Sequence, residues 1–565
     1  MTTLKKQILF FTICVTCFVS FTIAQVPLQK KLTVQKGAVV SAHRLASDAG
    51  LQILKQGGNA VDAAIATQLA LAVVYPMAGN LGGGGFMVTR LANGETFTID
   101  FREKAPGAAS RNMYIDSAGN ARTDLSQDGH LSSGVPGTVA GIFAAMKYAK
   151  LPFPSLIAPA ILLAEKGFVL TEREAKGLNS QQDAFRKFNT IMPAFYKPGG
   201  WKAGDTLIQT DLANTLKRIR DQGEKGFYEG ETARLIVEEM KRGHGIISLT
   251  DLQQYKAAAR DAHVFRYHTY TIVSMPMPSS GGLLLNQMLK MVEPYDLSKR
   301  GFQSLASIQL MVEAEKRAYA DRGLYMGDAD FYPVPVKQLS DTGYIRKRMS
   351  DFQFGKDGLS AQVVPGVVPG YESKETTHFN TADAEGNVVA VTTTLNDSWG
   401  AKTVVGGAGF LLNDEMDDFS IKPGVPNMYG AIGGNANAIE PGKRMLSSMT
   451  PTIVLDKYGK PVLVVGTPGG TTIPTSVFQT IVNVLDFNLS LDDAINKPKF
   501  HHQWLPDIIE IEKGFPDSVR VTMEKWGYHF SKPHGIGRTE AILLRKDGMM
   551  EVVADGRGED GAAGW

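Results

Sequence analysis

A polar stretch bearing Pro and Gly, from about Ser350 to Lys374, gives way to a β-rich run that opens with Thr376-Thr377-His378. A threonine hydroxyl is a poor nucleophile until a base takes its proton. The most economical base is the residue's own α-amino group, set free only if the Glu375–Thr376 peptide bond is cut. Taken by themselves, two threonines at a strand start are also ordinary β-formers. Two other motifs invite chemistry. The run Gly82 to Gly85 lacks the Lys-Ser/Thr of a phosphate loop and precedes a strand, so it predicts close backbone packing. His501 and His502 are adjacent, and neighbours in a strand face opposite ways, so they are read as structural and not as joint ligands of one ion. The sequence has no G-x-S-x-G elbow, no H-E-x-x-H and no Walker loop.

The elements that must carry these residues are legible in outline. Leu45, Ala49 and Ile53 recur at helical spacing up to Gly57-Gly58, after which Asn59 caps a uniformly apolar helix from Ala60 to Val74. Phe86 to Leu91 and Thr96 to Phe101 form a hairpin around Asn93-Gly94. The middle third is mainly helical: Leu212, Leu216 and Ile219 mark one apolar face, and Leu305, Ile308, Val312 and Tyr319 another, in a helix starting near Ser304. Pro276 to Gly282 reads as a rigid loop, and Ser350 to Lys374 as an exposed linker. Beyond it, alternating strands are expected at Thr376 to Ala382 and Val388 to Leu395, with further hairpins at Thr452 to Val465 and Ala541 to Val553. Hairpins at both ends with helices between predict helices covering stacked antiparallel sheets, an α+β layered fold and not a doubly wound parallel one.

Composition narrows the function classes. The chain has 565 residues, 43% of them hydrophobic and 21% charged, which excludes a disordered or fibrous protein. With 59 basic and 57 acidic residues, it carries no electrostatic footprint for nucleic acid or an anionic membrane. Lys5 and Lys6 precede an apolar run from Ile8 to Ala24, which reads as a secretory signal over residues 1–24. An uncleaved anchor is the alternative, the run being near the lower length limit for a span. Both cysteines, Cys14 and Cys17, fall inside that segment, so the mature chain has neither disulfide nor thiol nucleophile. Export without disulfides favours a bacterial periplasm or exterior.

Longer motifs then carry a resemblance. Asp100 to Glu103 (DFRE), Gly134 to Gly137 (GVPG), Thr376 to Phe379 (TTHF), Asn387 to Asn396 (NVVAVTTTLN), Leu412 to Ser420 (LNDEMDDFS), Lys443 to Met449 (KRMLSSM), Gly466 to Gly470 (GTPGG) and Phe500 to Asp507 (FHHQWLPD) follow in order along the chain. Together they resemble the γ-glutamyltranspeptidases over essentially the whole mature sequence. The resemblance implies an N-terminal-nucleophile hydrolase fold, a four-layer αββα sandwich. It implies one domain built from two autoprocessed subunits that remain together as a heterodimer, residues 25–375 (large) and 376–565 (small, catalytic). It implies no cofactor and no metal.

The roles it implies follow residue by residue. Thr376 is the nucleophile and new N-terminus, and Thr394 orients its hydroxyl. Gly469 and Gly470 form the oxyanion hole. Arg102 supplies a cationic fork for the donor's α-carboxylate, with Ser447 and Ser448 as hydroxyl donors. Asn396, Glu415 and Asp418 receive the donor's α-ammonium; the family has Gln or Glu at position 415. Thr392 and Thr393 are left as β-formers. The segment Pro423 to Gly434 matches a loop that lies over the glutamyl pocket in many members. The expected partners are a small γ-glutamyl donor such as glutathione and an amino-acid or peptide acceptor or water, with no nucleic acid and no membrane insertion after signal removal. Two rivals stay open: a cephalosporin or glutaryl acylase, and an uncut, inactive secreted binding protein.

Overall fold

A computed structural model of the chain describes residues 29–356, 360, 376–422, 424–428, 430 and 433–565. The expected signal segment, most of the expected linker and Glu375 lie outside them. Two seven-stranded sheets face each other. In spatial order, one runs Gly561–Gly564, Gly37–Ser41, Thr377–Asp383, Val388–Thr394, Gly84–Arg90, Thr96–Asp100, Ala258–Arg260. The other runs Lys31–Val34, Met550–Val553, Glu540–Leu544, Pro461–Gly466, Thr452–Leu455, Tyr270–Ser274, His263–Tyr267. Every neighbouring pair in both is antiparallel.

Side chains such as Val40, Phe86, Val88, Ala390, Ile453 and Val464 fill the space between the sheets. Outside the first sheet, the helices Arg44–Lys55 and Ala60–Val74 share a core with Phe379, Val389 and Val391. Outside the second, Gly281–Val292, Leu305–Tyr325 and Thr472–Leu485 pack on Val454, Leu463 and Val465. The four layers are therefore helix, sheet, sheet, helix, as expected.

Both faces of the central strands are covered, and this changes two expectations. Thr377–Asp383 and Val388–Thr394 are buried at every residue instead of alternating between core and solvent. The helix Leu305–Tyr325 is likewise buried well beyond its apolar stripe. Glu313, Lys316 and Arg317 are each at most 1% exposed, and Lys316 Nζ lies 3.2 Å from Glu313 Oε1. Pro276 to Gly282 is only in part a loop, since the next helix begins at Gly281.

Capping follows the sequence closely. The Asn59 side chain accepts from the Val61 and Asp62 amides, and Asp62 returns a bond to the Asn59 amide at 2.8 Å. The glycine run packs backbone on backbone. A Cβ at Gly82, Gly83 or Gly85 would sit 2.1, 2.1 or 2.3 Å from the carbonyl oxygens of Leu411, Thr394 and Thr392. Only glycine lets this strand lie so tightly against the one that ends at Thr394.

Candidate active site

Thr376 stands at the head of the strand Thr377–Asp383, where the expected linker ends. Its neighbour Thr377 is registered opposite Thr393, so one further step sets Thr376 opposite Thr394. Both line a cleft of about 320 Å³ whose wall also holds Arg102, Asn396, Glu415, Asp418, Ser447, Ser448 and Gly470. Nine of the ten residues singled out in the sequence are thus gathered in one place, from segments more than 350 residues apart. Gly469 stands one position outside the wall.

The turn after Thr394 is held in an uncommon conformation. Asn396 has φ +81°, a region that costs a non-glycine residue about 1–3 kcal/mol. Three contacts fix it: its amide donates to Thr394 Oγ1 at 2.8 Å, and its Nδ2 donates to the Asp414 carbonyl at 3.1 Å and reaches Met428 Sδ at 3.4 Å.

Arg102, 1% exposed, follows the strand Thr96–Asp100 and forms the charged end of the cleft. Its guanidinium donates to Glu415 Oε1 at 2.5 Å and to Asp418 Oδ2, and it lies 3.5 Å from Glu103 Oε2. Burial works against the cation, but the carboxylates of Glu415, Asp418 and Glu103 outweigh it and hold Arg102 firmly protonated. The acids respond in the opposite sense. Burial pushes Glu103 up to about 8, Glu415 well above its ordinary range and Asp418 upward, with Arg102 only partly offsetting each. Asn427 Nδ2 donates to Asp418 Oδ1 at 3.0 Å, which ties the overlying loop to this end. Of that loop, Pro423, Tyr429, Ala431 and Ile432 lie outside the described residues.

Next to Arg102 are two hydroxyls with their protons available. Ser447 Oγ accepts from the Met449 amide at 3.1 Å, and Ser448 Oγ accepts from Arg322 Nη2 at 3.0 Å. Each hydroxyl so engaged as acceptor can still donate to an anion. The same Arg322 donates from Nε to Ser280 Oγ at 3.1 Å.

Across the cleft, the strand Pro461–Gly466 leads into Gly469 and Gly470, with φ +132° and +54°, and on into the helix Thr472–Leu485. Neither glycine amide donates to an acceptor among the described residues. Two N–H groups at the positive end of a fourteen-residue helix suit a developing oxyanion.

The sequence reading missed Arg322 and Thr471, which also line the cleft, as does Asn427 from the loop expected over it. A signal for Arg322 existed: it continues, three residues past Tyr319, the apolar stripe of its helix, where a cation needs a reason to be. Other sequence candidates have structural partners. Thr392 Oγ1 bonds His378 Nδ1 at 2.8 Å, and Thr393 Oγ1 donates to the Gly84 carbonyl at 2.8 Å. His501 Nδ1 meets Thr475 Oγ1 at 2.8 Å, and His502 Nε2 meets Asp507 Oδ1 at 3.0 Å, each imidazole in its own network.

The chain is similar to known proteins in sequence and in fold. A family model described as gamma-glutamyltranspeptidase matches residues 46–565. A glutathione hydrolase proenzyme of Escherichia coli (strain K12) is 45% identical over 530 residues, covering 93% of this chain and 91% of that protein. The structure titled gamma-glutamyltranspeptidase from Helicobacter pylori is 44% identical with a TM-score of 0.57, covering 61% of this chain and 97% of that one. A cephalosporin acylase from Bacillus halodurans overlays with a TM-score of 0.82 over 97% and 99% of the two chains, a likeness of fold alone at 24% identity. The chain belongs to the gamma-glutamyltranspeptidase family.

Proposed function

We propose that the protein is an exported, autoprocessed enzyme that takes the γ-glutamyl group from glutathione and related amides and passes it to water or to an amino acid or peptide. In the precursor, Thr376 Oγ attacks the Glu375 carbonyl, the acyl group moves from nitrogen to oxygen, and water releases Glu375 as a carboxylate. Thr376 then carries a free α-amine. In turnover, that amine takes the hydroxyl proton as Oγ attacks the γ-carbonyl of the donor. The oxyanion is met by the Gly469 and Gly470 amides, worth about 3–4 kcal/mol for one such donor. Collapse expels the amine leaving group, which receives the proton, and leaves a γ-glutamyl ester on Thr376. Water or an acceptor amine attacks the ester by the same steps and restores the enzyme.

The observation that carries this reading is the charged end of the cleft. A cation, two serine hydroxyls and three buried carboxylates within reach of one another match a ligand head with both an α-carboxylate and an α-ammonium. Binding exchanges ion pairs already present for pairs of the same kind with the ligand. A glutaryl side chain has no ammonium to meet Glu415 and Asp418. An uncut binding protein would have no use for an oxyanion hole. The test is release of chromophore from a γ-glutamyl anilide, with and without glycylglycine. Turnover stimulated by the acceptor is expected, and equal or greater turnover of a glutaryl anilide lacking the α-amine would refute the donor assignment.

A further inference from the structure

On the helix side of the first sheet lies a second cavity, of about 680 Å³, which shares no residue with the cleft around Thr376. Its floor is apolar: Val74, Phe168, Leu170, Leu178, Leu207 and Trp399 line it, each at most 5% exposed. The charged groups are less buried and form the mouth: Arg173, Glu174, Arg538 and Glu559.

Two cations face two carboxylates there, so a ligand of single charge gains no net attraction, whereas one carrying both charges meets a partner for each. The groups are also fixed in place. Glu174 is held by His43 Nε2 at 2.9 Å and by the Thr171 amide at 2.7 Å, Arg173 donates to the Arg557 carbonyl at 3.0 Å, and the Arg538 guanidinium lies 5.3 Å over the Tyr75 ring. An apolar floor beneath such a mouth fits a molecule with a hydrophobic side chain at one end and paired opposite charges at the other.

The cavity also adjoins the supports of the catalytic cleft. Trp399 follows Asn396 by three residues and has φ +68°, its amide donating to the Met77 carbonyl at 2.9 Å. The Arg538 amide donates to Thr467 Oγ1 at 2.9 Å, at the base of the Gly469-Gly470 turn. We propose that this cavity is a second ligand site, which takes an apolar or aromatic amino acid or dipeptide in its zwitterionic form.

Gly177 offers a direct test. It sits on the helix Glu172–Ser180 at the cavity wall, and a Cβ there would meet only Trp399 Cζ2, at 3.9 Å, so Gly177→Leu puts a side chain into the space without displacing backbone. L-phenylalanine is titrated into the processed enzyme by calorimetry, in the presence of saturating L-glutamate to occupy the donor cleft. Saturable binding to wild type is expected, weakened tenfold or more by Gly177→Leu and several-fold by Arg173→Glu. If Gly177→Leu does not yield folded protein, the exposed Arg173→Glu decides. The proposal is overturned if wild type binds no phenylalanine, if L-glutamate displaces it, or if the variants bind as wild type does.

Discussion

Replacing Arg102 by methionine keeps an unbranched stem as far as about the position of Nε and removes the charge that three buried acids share. Glu415, Glu103 and Asp418 would be left without their cation, and breaking a buried pair from one side costs about 3–5 kcal/mol. The cost depends on pH with a definite sign. Burial already raises all three carboxyls in the folded protein, Glu103 to about 8, and losing the guanidinium raises them further. A carboxyl whose folded pKa exceeds its unfolded one binds a proton preferentially in the folded state. Its stabilisation is complete below the unfolded pKa and is lost as pH rises through the folded one, at about 1.4 kcal/mol per pH unit per group. The variant should therefore melt nearest to wild type at about pH 5, and the gap should widen through pH 8 as the unpaired acids are forced to ionise. Thermal unfolding of both proteins, followed by circular dichroism across that range, reads this directly. Donor KM should rise in parallel, by about 10- to 100-fold for the loss of a charge-assisted hydrogen bond of about 1.5–3 kcal/mol. Superimposable melting at every pH, or a gap that narrows as pH rises, would refute the view that Arg102 holds these acids.

Three substitutions probe other parts of the cleft. Gly83→Ala drives a Cβ to 2.1 Å from the Thr394 carbonyl; overpacking of about 1–3 kcal/mol should lower the melting temperature and, by shifting Thr394, also lower kcat. Gly469→Ala forces a side chain onto φ +132° and to 2.4 Å from Thr472 Oγ1, so kcat should fall by about 10²–10³-fold with donor KM little changed. In Ser448→Ala, Arg322 Nη2 loses an acceptor and the cleft loses a hydroxyl, so donor KM should rise by about 10- to 100-fold, for a hydrogen bond to a carboxylate of about 1.5–3 kcal/mol, with kcat held. Steady-state kinetics on the anilide substrate distinguish the three patterns.

Local signals carried most of the architecture. The Asn59 cap, the Asn93-Gly94 turn and the hairpins expected at Thr452 to Val465 and Ala541 to Val553 stand where local sequence puts them. What stayed hidden depends on layers. The central strands read as alternating because nothing in a strand's own sequence says that a second sheet lies behind it. The helix starting near Ser304 read as having one apolar face, and burial of Glu313, Lys316 and Arg317 as well makes them a paired network. At the site, motif resemblance named the residues, whereas spacing alone could not bring Arg102 to Glu415. It also left the state of the charges open. The acids expected to wait for an ammonium are bonded to the arginine expected to wait for a carboxylate. Arg322 carried a signal of its own, a cation on the apolar stripe of its helix, but no motif pointed to it.

The account depends above all on Thr376 becoming a chain terminus. N-terminal sequencing and intact mass of the active, purified enzyme measure this directly. The account predicts two chains, the shorter of 190 residues beginning Thr-Thr-His-Phe-Asn, and a single uncut, inactive chain for Thr376→Ala. Full activity in an unbroken polypeptide, or a short chain that begins at any other residue, would contradict it.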